Sequence, residues 1–483
     1  MKRTFLLFSL LILSFFAFAQ INPKGNGVTY TLSEMAISDP AWVQETSSGN
    51  FLILQNIYLL EDDTLLLKST DQSITISDNL TLTFYGTVVC EPRTELLPVI
   101  GDTTGANPYR VVVENAEPFT LSQLHFQHGY QVLLSGADIF IEQCEFSGFA
   151  NGAVNYMNCN PVIRNCFFHD NQKAAITSAV NTNGSPHIIG NTFYNNDLSN
   201  ANIPQINLGP GAESIILIDS NVIEGVAQNM SGGFAIMNMG STNTILSFTN
   251  NIVKNNRYGY TQNGTHINAY ISDNHFINNN LETNPNNGGS GISIYGSDTT
   301  CAATIRHNEI SGNLWGVTAI YNHSIDMGTA DDPGENILSN NGNGGVEYEL
   351  YNNAFSDMSA VGNCWGHDDP DSVEAVIYHK TDDPSLGLVT YMPLLPCGTS
   401  VETYEANDVK VYPNPAANGT FHISQEGNAL MQIQVFSIEG QLLFTRQTSE
   451  SLTTVNASQW PSGLYLVQIL QNGYAQTMKI LIP

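Results

Sequence analysis

Residues 188–193 read Ile-Ile-Gly-Asn-Thr-Phe, residues 218–223 Ile-Asp-Ser-Asn-Val-Ile, residues 248–253 Phe-Thr-Asn-Asn-Ile-Val and residues 271–276 Ile-Ser-Asp-Asn-His-Phe. All four are one phrase: an apolar residue, two spacers, a small polar residue, one spacer, then a large apolar residue. It returns about ten times between Phe119 and Gly366. The polar position reads Leu124, Cys144, Asn165, Asn191, Asn221, Asn251, Asn274, Asn308, Asn336 and Asn363. Two residues on, the apolar position reads Phe126, Phe146, Phe167, Phe193, Ile223, Val253, Phe276, Ile310, Leu338 and Trp365. Copies lie roughly 20 to 34 residues apart, a period at which self-similarity means a solenoid rather than a globule.

Between the phrases stand short period-2 strands such as Val162-Ile163-Arg164, Ile188-Ile189-Gly190, Gly291-Ile292-Ser293-Ile294 and Gly345-Val346-Glu347-Tyr348, separated by Asn, Gly and Ser. No helical periodicity interrupts them. No copy buries its apolar face alone, whereas stacked copies place each inward residue on its counterparts above and below. The fold class expected is all-β: a parallel β-helix followed by a small antiparallel β-sandwich. Asn suits the turns because its amide tolerates the left-handed conformation and can bond backbone or the Asn of the next coil.

On these repeats the chain resembles the right-handed parallel β-helix repeat proteins, whose architecture is shared with pectate lyases. The resemblance covers roughly residues 50 to 396 and supplies the handedness, which agrees with the right-handed preference of parallel crossovers. That group contains lyases, hydrolases, epimerases and non-catalytic surface proteins, so the fold does not select an activity. Asn363-Cys364-Trp365-Gly366 resembles the closing coil of such repeats, with Trp365 as a lid over the core.

The chain has 483 residues, with 15 Lys and Arg against 44 Asp and Glu and a formal net charge of −29. This balance argues against nucleic acid and an anionic membrane surface as partners. Lys2 and Arg3, the apolar run Phe5 to Phe16 and Ala17-Phe18-Ala19 form the pattern of a cleaved secretory signal, 1–19. A lead-in or cap is expected over 20–49, the β-helix over 50–396 and a linker over 397–407. No later stretch is apolar and long enough for a transmembrane helix, so a soluble mature protein is expected. Of the seven cysteines, Cys144 with Cys166 and Cys364 with Cys397 are plausible bridges in an oxidising compartment; the alternative for Cys144 is a small buried filler.

From 408 to 483 the pattern changes. Val411-Tyr412-Pro413-Asn414-Pro415 opens this module, Glu439-Gly440 turns in its middle, Ser462-Gly463-Leu464-Tyr465 comes late, an Asn472-Gly473 hairpin follows and Lys479-Ile480-Leu481-Ile482 closes it. It resembles the C-terminal sorting domain of type IX secretion cargo, which implies the type IX machinery as partner, export across an outer membrane, and release or surface attachment.

Insertions at Asn195 to Gly211, Asn280 to Ser290 and Met327 to Gly345 mark one face as the functional candidate. A uronate lyase needs a base and a cation beside the substrate carboxylate; Lys254 with Arg257, aided by His275, is the available trio. A hydrolase needs two carboxylates across a cleft; Glu347 and Glu349 alternate outward along one strand, with Asp331, Asp332 and Glu335 just before. Asp331 and Asp332 are also the candidates for Ca²⁺, as is the run His367-Asp368-Asp369-Pro370-Asp371, although no helix-flanked Ca²⁺ loop pattern is present. Tyr295, Tyr321 and Tyr351 share a frame at strand ends and would form a stacked strip suited to a glycan. The function expected is a secreted or cell-surface protein that binds polysaccharide, without a catalytic signature; the alternative is an extracellular polysaccharide lyase or glycoside hydrolase acting on an acidic glycan.

Overall fold

The computed structural model describes residues 25–101, 107–115, 119–136, 139–397, 409–417, 419–425, 430–437, 442–461, 463–471 and 474–482. The signal segment, nearly all of the linker and the Glu439-Gly440 and Asn472-Gly473 turns lie outside these residues. The chain divides at residue 397 into two compact units.

The first unit winds through three sheets in turn. Sheet 1 has 13 strands and runs from Val43–Ser47 to Ile337–Ser339; sheet 2 has 13, from Ile57–Leu59 to Ile377–Tyr378; sheet 3 has 11, from Phe119–Ser122 to Val389–Thr390. One coil is Thr192–Tyr194 in sheet 1, Ile206–Leu208 in sheet 2 and Ser214–Asp219 in sheet 3, after which Val222–Glu224 pairs in parallel with Thr192–Tyr194. The lead-in, expected as an arm or cap, contains a short helix that the sequence reading did not name. Helix Leu32–Ser38 carries a capping box between Thr31 and Glu34, and its Leu32 packs into the core at the first coils. Such a cap covers the open end of the stack.

Inside, like stacks on like. Phe126, Phe146, Phe168 and Phe193 lie with ring centroids 5.3, 4.7 and 5.1 Å apart, and Ile223, Val253, Phe276, Ile310 and Leu338 continue the column in register. Burying one such side chain contributes about 1.5–3 kcal/mol. One register differs from the sequence reading. Asn165 takes the left-handed corner (φ 53°), so Cys166 enters the polar column and Phe168 the apolar one, while Phe167 points outward at 37% exposure. A shift of one residue exchanges the faces of a strand, and Asn165-Cys166-Phe167-Phe168 admits either frame.

The polar column is a buried amide ladder. Asn221 donates its backbone N–H (2.9 Å) and its side-chain N–H (3.0 Å) to the Asn251 amide oxygen, and gives a further N–H to the Ile188 carbonyl. The same pattern runs from Asn191 to Asn363. The left-handed conformation belongs to the residue before, as at Ser220, Asn250, Asp273 and His307. Cys166 and Cys144 extend the ladder with thiols: the Cys144 N–H meets the Cys166 sulfur at 3.5 Å, and neither cysteine is bridged. Cys144 is thus the buried filler, and the expected Cys144–Cys166 bond is absent. Cys364 and Cys397 do form a disulfide, and Trp365 is fully buried.

A second ladder, not anticipated from sequence, lines the corner between sheets 1 and 2: Asn171, Asn196, Gln205, Asn256, Asn279, Asn313 and Asn341. The coil at Gly225 has no Asn to offer, and the longer Gln205 side chain spans the gap with bonds of 2.8 and 2.9 Å. The ladder ends on Glu349, whose carboxylate accepts the Asn341 backbone N–H (3.1 Å) and amide N–H (2.5 Å). Glu349 is fully buried and so does not share an outward face with Glu347. Its neighbours Val346–Glu347 leave the coil to form a small antiparallel hairpin with Gly342–Asn343, and the strand of that coil is Leu350–Ala354.

The second unit is antiparallel. Lys410–Ala417, Thr420–Ser424 and Leu452–Asn456 form one sheet; Leu442–Thr448, Met431–Ser437, Gly463–Gln471 and Tyr474–Ile482 form the other. Phe421, Ile423, Val435, Val455, Val467 and Ile480 fill its core.

Two outcomes test the ladders. Asn251→Ala removes the acceptor of two buried donors and should destabilise the β-helix by about 3 kcal/mol, whereas Asn250→Gly, at an exposed left-handed corner, should stay within about 1 kcal/mol; urea midpoints distinguish them, and equal effects would refute the ladder's role. Burial pushes the Glu349 carboxyl from 4.5 up to about 7, against the opposing Asn341 donors. The folded protein thus holds this proton more tightly than the unfolded chain: the stabilisation is complete below pH 4.5, falls as pH rises and is gone above pH 7. The loss is about 3 kcal/mol. Urea midpoints measured across that range should fall in the wild type and lose most of this slope in Glu349→Gln.

Candidate functional site

With the interior filled by ladders, chemistry is confined to outward side chains and corner loops. The residues proposed for lyase chemistry sit on or beside sheet 1. Lys254 is paired with Glu224 of the preceding coil at 3.1 Å, and His275 with Glu309 of the following coil at 2.8 Å. They occupy different side-chain columns, since Ile252 is the register partner of His275 and Ile277 that of Lys254. The Glu309 carboxylate holds the His275 imidazole above its ordinary pKa. Arg257 lies in a corner loop, where its guanidinium bonds the Asn287 carbonyl and the Asn202 side chain. That contact ties together the insertions at 195–211 and 280–290, and Asn229 joins them again through Asn200 (2.9 Å) and Glu282 (3.2 Å).

The third insertion does not join that face as a single loop. Strand Ile337–Ser339 of sheet 1 divides Met327 to Gly345, so residues 327–336 sit at the corner between sheets 3 and 1, and residues 340–345 at the corner between sheets 1 and 2. In the first part Asp332, with Asp326, neutralises the buried Arg306 at 2.8 Å. This commits the Asp332 carboxylate to an ion pair; Asp331 stays exposed, and Glu335 faces His307 at 3.4 Å. Glu347 pairs with His367 at 3.0 Å. Of the acidic residues proposed for Ca²⁺ or hydrolysis, Asp332, Glu335 and Glu347 are thus each directed to a different partner.

The three tyrosines do not form one column. Tyr295 pairs in register with Ile320, and Tyr321 with Gly296, while Tyr351 follows Thr318 and precedes Tyr378. Tyr295 and Tyr321 meet edge-on at 4.9 Å. Tyr351 belongs to a different group: it stacks on Tyr378 at 4.7 Å and 10°, and Trp315 lies 4.8 Å from Tyr351 and 4.7 Å from Tyr348. The four rings are partly exposed on the outer side of sheet 2 and the adjoining hairpin. The Trp315 indole N–H donates to the Pro285 carbonyl at 3.1 Å, so the 280–290 insertion borders the cluster.

A second surface lies over the middle strands of sheet 1, Leu124–Gln127, Glu145–Ser147 and Phe167–His169. Loop residues Arg93 to Leu96 wall a groove of about 400 Å³ whose floor includes Gln143, Glu145 and Phe167. Arg93 is held by the carbonyls of Lys68 and Asp71. Glu145 is flanked by two histidines, with His125 Nε2 and His169 Nε2 each 3.0 Å from its Oε1. Burial lowers the His125 pKa, and the neighbouring Glu145 carboxylate opposes this. Neither histidine was singled out by sequence, because the residues of the cluster are one coil apart and no local motif links them.

Residues 110–281 match the family described as right handed beta helix region, residues 211–372 a family of unknown function, and residues 410–483 the secretion system C-terminal sorting domain. An ulvan lyase of Nonlabens ulvanivorans is 32% identical over 74 residues, which is 15% of this chain and 14% of that relative. The periplasmic alginate epimerase AlgG aligns over 62% of this chain and 82% of its own at 14% identity and a TM-score of 0.39. A tailspike protein from Acinetobacter baumannii bacteriophage Fri1, a capsular polysaccharide depolymerase, aligns over 86% of this chain and 80% of its own at 9% identity and a TM-score of 0.25. Among the described residues no helix is long and apolar enough to cross a membrane. The sorting domain implies handling by the type IX machinery and export to the cell surface or the extracellular space. The chain is a right-handed parallel β-helix protein that ends in a type IX secretion sorting domain.

Proposed function

We propose that this protein binds polysaccharide outside the cell, with the shelf of Trp315, Tyr348, Tyr351 and Tyr378 as a sugar-stacking subsite. A signal segment at 1–19 takes the chain to the periplasm, and residues 408–483 direct its onward export. The observation that carries the reading is the shelf: Trp315, Tyr348 and Tyr351 in mutual contact, with Tyr378 stacked on Tyr351, partly open to solvent and bordered by inserted loops. An aromatic face with a hydroxyl at its edge matches the apolar face and polar rim of a pyranose. The parallel stack advances about 4.8 Å per coil, which offers an extended chain a straight track. A formal charge of −29 favours a neutral glycan, or an acidic one bridged by a cation. Lyase or hydrolase action is the less favoured reading, because Lys254, Arg257, His275 and Glu347 each have a separate partner.

Titration of the full-length protein with neutral and uronate oligosaccharides should give saturable binding accompanied by a change in tryptophan fluorescence. Tyr351→Ala and Tyr378→Ala should each weaken binding at least tenfold, about 1.4 kcal/mol, and no new reducing or unsaturated ends should appear. Undiminished affinity in the double variant would remove the shelf from the account. Turnover abolished by Lys254→Ala or Glu347→Ala would replace binding by catalysis.

A further inference from the structure

We infer that His125, Glu145 and His169 form a binding site for a divalent transition metal of the zinc class. They project from three consecutive strands of sheet 1, Leu124–Gln127, Glu145–Ser147 and Phe167–His169. His125 and Glu145 are register partners, and His169 follows Ser147 in the adjacent column. One ligand atom from each falls within 4.8 Å of the others. Both Nε2 atoms stand 3.0 Å from Glu145 Oε1, close to the edge of a coordination tetrahedron built from bonds of about 2.1 Å. The side chains are 21%, 25% and 20% exposed: sunk enough to be held, open enough for an ion to enter.

The hydrogen bonding around His169 gives an independent reason. Its Nδ1 is 2.8 Å from Asp170 Oδ2, and the other Asp170 oxygen accepts the Asn195 amide N–H at 2.5 Å. A carboxylate behind a histidine fixes the tautomer with the proton on Nδ1 and the lone pair on Nε2, the arrangement found behind metal-bound histidines. That lone pair faces a carboxylate oxygen. Two acceptors at this separation need a positive charge between them, either a second proton on the ring or a cation. For His125, Nε2 also reaches Ser147 Oγ at 2.9 Å, and Nδ1 lies 3.2 Å from the Gln127 amide nitrogen. A half-turn of that amide presents its oxygen to an Nδ1–H and frees Nε2 for the ion. Two imidazoles and one carboxylate suit Zn²⁺ and its neighbours; Ca²⁺ takes six to eight oxygen ligands and is excluded by this donor set. Three protein ligands leave an open coordination position. The inference does not depend on the glycan reading, since it concerns another surface and is read out by the ion alone.

Metal-stripped full-length protein titrated with Zn²⁺ by calorimetry should take up one tight equivalent that excess Ca²⁺ does not displace. His125→Ala, Glu145→Gln and His169→Ala should each weaken it at least tenfold, and Asp170→Asn by roughly 10- to 100-fold. Circular dichroism checks that the variants stay folded. Should one unfold, Co²⁺ added to the wild type decides the matter: intense visible bands of a low-coordinate histidine site support the assignment, and the faint spectrum of the hydrated ion overturns it. Equal Zn²⁺ affinity in wild type and folded variants, or no tight equivalent in the wild type, also overturns it.

Discussion

The structure depends on one recurring transaction, the bond from one buried asparagine to the next. At each tight corner a backbone N–H turns inward, where no strand partner is available, and an unmatched buried donor costs about 1–3 kcal/mol. The Asn amide resolves this, because its oxygen accepts the backbone and side-chain N–H of the Asn one coil back, while its nitrogen donates to a carbonyl of that same coil and to the amide oxygen of the next Asn. All the amides point the same way along the axis, so each coil is registered on the next. The exceptions fit the same chemistry. Thiols at Cys144 and Cys166 supply weak donors and acceptors at the start of one ladder. At the end of the other, Glu349 offers two acceptor oxygens in place of a further amide.

A rod locked in this way presents its variation outside. Outward positions along a strand are free to change without disturbing the ladders, and corner loops can lengthen without breaking the parallel pairing. Both candidate surfaces arise from this freedom. The aromatic shelf collects Trp315 from one coil, Tyr348 from a corner hairpin and Tyr351 and Tyr378 from the next two strands of sheet 2. The His125, Glu145 and His169 cluster collects one residue from each of three coils. Their separation in sequence is a coil length, so their meeting is a property of the stack rather than of any local motif.

The ladder through Asn191 to Asn363 was legible because periodic polar residues stand out against an apolar background. The second ladder carried an equally regular signal, an Asn five residues after the first at 196, 256, 279, 313 and 341. It was hidden because paired asparagines also read as ordinary turn composition. Asn165 is ambiguous by one position in the sequence, because an Asn suits either the left-handed corner or the ladder step beside it. The tyrosines at 295, 321 and 351 align in sequence by their strand endings. Register follows the hydrogen-bonded pairing instead, and the strand ending at Tyr321 runs one residue further than the frame allowed.

The sequence alone determined the repeat, the parallel coil, the stacked apolar interior and the sorting module, because each of these is a pattern that recurs along the chain. The tertiary structure decided which outward residues become neighbours, which carboxylates are already neutralised, as Asp332 is by Arg306, and which acid is buried, as Glu349 is. The physical reason is the coil length. Insertions change it from turn to turn, so side chains that meet across adjacent coils stand at no fixed spacing in sequence, and only the hydrogen-bonded register brings them together.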